Sequence, residues 1–209
     1  MIHKDEDFIY TDDGSLAVTK NKSIGPFKNA SSFTIGSTDP TGRFCVTQAS
    51  LAGKKNELST TNWLVNFWVR EDTLTNYIFA FGNSSVSGLS LNKYDATHWQ
   101  LKVNNITLNT VPRLEDSTWT MFTLWNDTSS IYIKKNDNIA SSIVAVPALN
   151  DFYFGTDSAG ENATELFISN IYVGLYRNSA GTIIWTDRYI EELYKSKQSF
   201  ITKQTTVLK

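Results

Sequence analysis

Acidic side chains are the residues of this sequence that could do acid–base chemistry on a glycosidic bond. A retaining glycosidase needs two carboxylates on one face, about 5–5.5 Å apart. Glu115 and Asp116 are neighbours, so they would point to opposite faces of an extended chain. No Glu in the sequence is followed two residues later by Asp. The pattern predicts solvated loop charges rather than a catalytic pair, and we expect no enzymatic activity.

A second acidic group has the oxygen ligands that calcium prefers. Asp151, Asp157 and Glu161 lie in one short stretch that also holds Asn150 and Asn162. Carboxylate and amide oxygens in loops suit this ion. Asp and Asn are also the usual turn formers, and the spacing matches no specific calcium motif. The stretch is a candidate calcium site with capping turns as the alternative, and we expect no other cofactor.

Histidine and cysteine offer little for metal binding or nucleophilic catalysis. His3 and His98 stand apart, without partners at the spacing of zinc ligands. Cys45 lies in a β-rich segment and is predicted to be a small buried hydrophobe. Neither the Gly-x-Ser-x-Gly turn of hydrolases nor a phosphate-binding Gly-Lys-Ser/Thr loop occurs. The sequence therefore favours binding over catalysis.

Tryptophan is the residue type that favours recognition, because exposed aromatic rings stack on sugars or anchor protein interfaces. The chain has six tryptophans, and core packing is the alternative role for each. Trp125 precedes a polar turn, and Trp99 follows His98 at the start of a strand. These two are predicted to be the exposed, ligand-binding tryptophans.

The elements that would position these residues are short strands at a regular spacing, which is typical of an antiparallel β-sandwich. Residues 63–70 alternate between two largely apolar faces, which predicts a central strand covered on both sides. Trp119 and Phe122 are predicted to pack in the core on opposite faces of a later strand. One helix is predicted from Asp187, as N-cap, to about Lys197, because Tyr189, Ile190, Leu193 and Tyr194 form a stripe at helical spacing.

The segments WLVNFWVRED and YIFAFGNSSVSGLSL, and later STWTMFTLWNDTSSIYIKK, DFYFG, LFISNIYVGLYRN and TDRYIEELYKS, follow one another in a distinctive order. This order resembles laminin-G-like domains of the concanavalin-A-like superfamily over about residues 27–195. The resemblance implies an all-β, two-sheet antiparallel jelly-roll sandwich with one C-terminal helix. It says little about the ligand, because the fold serves lectins, glycosidases, adhesion modules and virion proteins.

Residues 1–199 are predicted to form a single domain, followed by a tail at residues 200–209. The tail carries Phe200, Ile201, Val207 and Leu208, which are too few to build a core. We therefore expect it to be a docking element for other protein subunits of a multi-copy assembly.

Three functional classes remain open. The first is a non-enzymatic structural or adhesive virion component, such as a phage capsid decoration, fibre or tail protein. The second is a stand-alone carbohydrate-binding module, for which glycans are the partners. The third is a glycoside hydrolase, which the missing carboxylate pair argues against.

The net charge and the N-terminal sequence indicate which partners and which cellular location to expect. A formal net charge of -2 predicts no nucleic-acid binding, and no apolar run is long enough to insert into a membrane. The acidic N-terminal sequence lacks the apolar core of a signal peptide. We expect synthesis in the cytoplasm and a place on the virion surface, with an extracellular location as the alternative.

Overall fold

The computed structural model describes residues 9–10, 18–21, 26, 32–35, 44–46, 62–72, 76–84, 87–103, 106–113, 117–127, 130–136, 138–144, 152–155 and 166–196. These residues form fourteen β-strands and one helix, α1, at residues 187–196. The strands are β1 (Ile9–Tyr10), β2 (Val18–Asn21), β3 (Ser32–Ile35), β4 (Phe44–Val46), β5 (Asn62–Arg70), β6 (Tyr77–Ser84), β7 (Ser87–Lys93), β8 (His98–Val103), β9 (Ile106–Pro112), β10 (Thr120–Asp127), β11 (Ser130–Lys135), β12 (Asn138–Val144), β13 (Phe152–Phe154) and β14 (Leu166–Gly174).

The described strands form two seven-stranded sheets. One has the order β1-β4-β13-β6-β7-β8-β9, and the other has the order β12-β11-β10-β5-β14-β3-β2. All pairings between described strands are antiparallel. The predicted antiparallel sandwich with one helix near the C-terminus is therefore confirmed. No helix within the described ranges is long and apolar enough to cross a membrane.

The core lies between the two sheets and consists of the side chains that alternate inward along each strand. Trp63, Val65, Phe67 and Val69 supply it from β5, as their spacing predicts. Aromatic rings pack closely here, with the ring centroids of Phe67 and Phe154 5.1 Å apart and nearly perpendicular. The middle seven residues of β5 are all buried, which confirms the prediction of a strand covered on both faces.

A second apolar cluster covers the outer face of the β5 sheet. Leu64 and Trp68 on β5 and Met121 on β10 point outward, where Trp185 and Ile190 pack over them. The Trp68 and Tyr194 rings stack with their centroids 6.1 Å apart. The chain after β14 therefore folds back over this sheet, and α1 packs on its outer face.

The helix begins one residue earlier than a cap at Asp187 requires. Thr186 is the N-cap, because its Oγ1 accepts a hydrogen bond from the Tyr189 backbone N at 3.2 Å. Asp187 is instead the first helical residue, and its Oδ1 lies 2.8 Å from Lys134 Nζ on β11. Glu191 and Lys195, four residues apart, form an ion pair on the exposed side of α1.

One end of the sandwich is held by a partly buried ion pair. Arg113 Nε lies 2.6 Å from Glu71 Oε1, and Arg113 Nη1 also donates to the Ala96 carbonyl at 2.9 Å. Ser117 has a φ of 63°, in the left-handed region, and its backbone N donates to the Glu71 carbonyl. These bonds connect the end of β5 with the approach to β10.

Trp119 and Phe122 differ in burial. Phe122 is fully buried in the core between the sheets, as predicted. Trp119 lies just before β10 and is only partly buried against the outer cluster, so its predicted core position is wrong. Alternation still places the two side chains on opposite faces. The domain boundary at residue 199 and the tail at residues 200–209 lie outside the described residues and stay predictions.

Candidate functional site

A pocket of about 110 Å³ opens on the outer face of the β5 sheet. Its floor comes from β5 and β14, and its far wall comes from α1 and the segment before it. Ile171 and Leu193 are its aliphatic lining residues. The helix α1 packs across the sheet and leaves a space above β14. In this part of β14 a β-bulge between Ser169 and Tyr172 shifts its pairing register with β5.

Four aromatic side chains line the pocket: Trp68, Tyr172, Trp185 and Tyr189. The Trp185 ring lies 4.7 Å from the Tyr172 ring and 5.1 Å from the Tyr189 ring, centroid to centroid. Trp68, Tyr172 and Trp185 are buried, whereas Tyr189 is 47% exposed. Tyr189 therefore presents an accessible ring at the mouth, held edge-to-face by the buried Trp185.

Two side-chain amides contribute the polar part of the pocket. Asn66 is buried, and its Nδ2 donates to Thr123 Oγ1 at 2.7 Å and to the Phe122 carbonyl at 3.2 Å. These bonds fix the orientation of the amide and leave its Oδ1 as the remaining acceptor. Asn170 lies in the bulge between Ser169 and Tyr172, with a φ of 49°. Its Oδ1 accepts a bond from Ser169 Oγ at 3.3 Å, which leaves its Nδ2 as a donor.

The Tyr172 hydroxyl is held in a protonated state by its surroundings. Burial raises the pKa of Tyr172 above its usual value, because a phenolate is poorly solvated there. A hydrogen bond with Trp185 lowers the pKa of Tyr172 by a smaller amount. An ordinary tyrosine, with a pKa of about 10, is already neutral near neutral pH, and the raised pKa of Tyr172 extends that neutral range upward.

The charged side chains around the pocket are paired with each other. Lys134 pairs with Asp187, and Arg188 Nε lies 2.8 Å from Glu192 Oε1 on the exposed side of α1. Hydrogen bonding to Lys195 lowers the pKa of Glu191. None of the described residues that line the pocket is charged, so it contains neither an acid–base pair nor a cation.

The predicted exposure of Trp99 and Trp125 is wrong. Trp99 is 2% exposed, because it lies on the inner face of β8 and packs 5.5 Å from the Phe122 ring. Trp125 is 6% exposed, because the chain after β14 covers the outer face of its strand. Its ring stacks on Tyr132 at 5.2 Å and on Tyr176 at 6.0 Å. Both tryptophans stabilise packing where an exposed ring was expected.

The other predicted site residues lie outside the described residues. These are the candidate calcium ligands Asp151, Asp157 and Glu161, and the docking residues Phe200, Ile201, Val207 and Leu208. Glu115 and Asp116 also lie outside them. Within the described part of the chain, no group of three or more His, Cys, Asp or Glu side chains could hold a metal ion.

Sequence reasoning missed Asn66, Asn170 and Tyr172 as pocket residues. Asn66 carried one signal, since it is the polar residue between Val65 and Phe67 in an otherwise apolar strand. A buried amide in such a strand needs hydrogen-bond partners, which here are on β10. Asn170 gave no comparable signal, because a bulge in the middle of β14 depends on pairing with β5.

Comparisons with known proteins identify the fold. No protein-family model matches the sequence, and no curated protein matches it. Domain 4 of AbnA, an extracellular GH43 arabinanase from Geobacillus stearothermophilus, was solved in complex with arabinotriose and is similar in structure. The TM-score is 0.56 at 12% identity, and the match covers 93% of this chain and 100% of that domain.

Two larger proteins contain a similar domain. The sialidase of Trypanosoma rangeli matches with a TM-score of 0.57 at 12% identity, over 88% of this chain and 33% of its own. The binding domain of botulinum neurotoxin DC, solved with rat synaptotagmin II, matches with a TM-score of 0.54 at 15% identity. That match covers 91% of this chain and 46% of the toxin domain. This chain therefore has the fold of β-sandwich domains that occur as parts of longer proteins.

Proposed function

We propose that this protein is a non-catalytic glycan-binding module of the lectin-like β-sandwich type. One observation carries the proposal: the outer-face pocket combines the accessible ring of Tyr189 with the amides of Asn66 and Asn170. An aromatic ring takes the apolar face of a sugar, while amides donate to and accept from its hydroxyls. Such a combination is the usual composition of a small-molecule site.

The similar structures support this class of ligand. The arabinanase domain was solved with arabinotriose, and the whole of that domain matches this chain. Botulinum neurotoxin type C is similar in structure, with a TM-score of 0.50, and its cell entry depends on interaction with two ganglioside molecules. Synaptotagmin is the protein bound to the neurotoxin DC domain, so a protein ligand is the alternative.

The non-catalytic part of the proposal rests on the composition of the pocket. Hydrolysis of a glycosidic bond needs a carboxylic acid and a carboxylate across the scissile bond. The lining residues offer amides, aromatic rings and aliphatic groups instead. A bound glycan would therefore be held and released intact.

The predicted role as a multi-copy virion component, of laminin-G-like type, stays a prediction. It rests on the sequence alone, and its docking residues in the tail lie outside the described residues. A glycan-binding pocket is compatible with that role, since an adhesive virion protein needs a receptor site.

The proposal is tested by screening the full chain on a glycan array and confirming hits by calorimetry. Each glycan that binds is then incubated with the protein, and products are separated by chromatography. We expect binding without cleavage. Failure to bind any glycan, or release of shorter products, would contradict the proposed function.

A further inference from the structure

The composition of the pocket limits which sugars it can take. Asn66 Oδ1 is an acceptor and Asn170 Nδ2 is a donor, because the other halves of these amides are already bonded. Tyr172 adds a neutral hydroxyl that is hydrogen-bonded with Trp185. A sugar hydroxyl both donates and accepts, so neighbouring hydroxyls of one ring can satisfy both amides.

A carboxylated sugar would lack a counter-ion in the same place. The described cations of the surrounding elements each pair with a carboxylate: Lys134 with Asp187, Arg188 with Glu192, Lys195 with Glu191, and Arg70, through Nη2 and not through its buried Nε, with Asp72. Arg177 donates to the Gly181 carbonyl at 3.2 Å and lies over the Tyr176 ring. Moving a carboxylate from water into a site whose described lining residues include no cation is costly, because its solvation is not replaced.

The size of the pocket limits how much of the ligand enters. An enclosed cavity of about 150 Å³ holds benzene. This pocket is smaller, at about 110 Å³, and is open beside Tyr189 and Asn170, which are both exposed. It has room for the edge of a single ring, with the rest of the ligand in solvent.

We infer that the pocket binds one uncharged sugar ring at the end of a glycan, edge first, and discriminates against carboxylated sugars. The ring's hydroxyls reach the amides of Asn66 and Asn170, and its apolar face lies against Tyr189. This inference deepens the proposed function and rests on it.

The test uses matched neutral and carboxylated probes with the full chain. Calorimetry compares arabinotriose, lactose with 3′-sialyllactose, and methyl glucoside and galactoside with their uronic acid counterparts. We expect the tightest binding from a neutral probe, with its carboxylated counterpart weaker by about tenfold or more, as expected for an unpaired charge. Equal or tighter binding of the carboxylated member would overturn the inference while leaving the glycan-binding function in place.

A variant locates the site independently of ligand charge. Asn170→Gly keeps the left-handed backbone without strain and removes only the amide. We expect Asn170→Gly to raise the Kd of the neutral probe by roughly threefold to tenfold, the effect of one lost hydrogen bond. An unchanged Kd in both Asn170→Gly and Tyr189→Ala would place binding elsewhere and overturn the inference. If no neutral probe binds, the inference fails, and the proposed function fails with it only if the array screen also finds no glycan that binds.

Discussion

The phenol of Tyr172 lies directly over Gly174, where a Cβ atom would stand 2.6 Å from the Tyr172 hydroxyl oxygen. The two residues are two positions apart in β14 and share its outer face. The missing side chain at Gly174 leaves the space that Tyr172 fills. Tyr172 in turn contacts Trp185, so this glycine positions a wall of the pocket without lining it.

Gly174→Ala is therefore expected to displace Tyr172 and weaken glycan binding, while the sandwich stays folded. The ring has to move, because real Cβ contacts are never as short as 2.6 Å. Calorimetry would give the change in Kd, and near-ultraviolet circular dichroism would report the altered Tyr172–Trp185 contact. Thr110→Ala, on the exposed edge strand β9, is the control and should change neither. An unchanged near-ultraviolet spectrum in Gly174→Ala would contradict the positioning role.

Core and surface positions near β10 should differ clearly in stability. Phe122→Ala removes a fully buried ring from the core and is expected to cost about 3–5 kcal/mol of unfolding free energy. Trp119→Ala should cost less, because its ring is only partly buried against the outer cluster. Urea denaturation of both variants gives the comparison, with the exposed Leu108→Ala as control. Equal losses of unfolding free energy in Trp119→Ala and Phe122→Ala would contradict this difference between the outer cluster and the core.

The ion pair between β11 and α1 predicts an asymmetry between its two partners. Lys134 is buried, whereas the Asp187 side chain is 76% exposed. Asp187→Ala leaves a buried ammonium group without its carboxylate, so it should lower stability. Lys134→Met replaces that ammonium with an apolar group of similar size and should be close to neutral. Thermal melts of both variants test this, and a larger loss for Lys134→Met would contradict it.

Alkaline pH should weaken the fold through Tyr172 and Tyr176. Burial raises the pKa of each above its ordinary value, so the unfolded chain loses these protons at lower pH than the folded one. The stability contributed by the protonated phenols is complete below the unfolded pKa, about 10, and is lost as pH rises through the folded pKa. Unfolding free energy should therefore fall above about pH 10, and Tyr172→Phe should reduce this fall. If the unfolding free energy of Tyr172→Phe fell at alkaline pH as much as that of the parent, the loss of stability would come from groups other than Tyr172.

The fold was largely predictable from the sequence, for a physical reason. Strand alternation along residues 63–70 and the helical stripe at Ile190 and Leu193 are local patterns, and local patterns specify which side chains are buried. The burial of Trp125 was not predictable in this way. It depends on a long-range event, the return of the chain after β14 across the outer face, which no local period encodes.

The pocket was harder to predict than the fold. Asn66 and Asn170 line one pocket at the bulge where β14 shifts its register against β5, and such a bulge depends on pairing between distant strands. Tyr189 is part of a helical stripe, and a stripe alone does not distinguish its exposed member from the buried Ile190. Which member is exposed depends on how α1 packs against Trp185 and the sheet, which is tertiary structure.

The most direct test of the account is the effect of Tyr189→Ala on binding of the neutral glycan found in the array screen. Calorimetry on the full chain should show affinity reduced by about tenfold or more, the loss expected for an aromatic anchor. Tyr94→Ala is the matched control, because Tyr94 is 57% exposed and lies in the turn before β8 of the other sheet. We predict that this control binds like the parent. Equal affinity of the Tyr189→Ala protein and the parent would contradict the claim that this pocket is the glycan site.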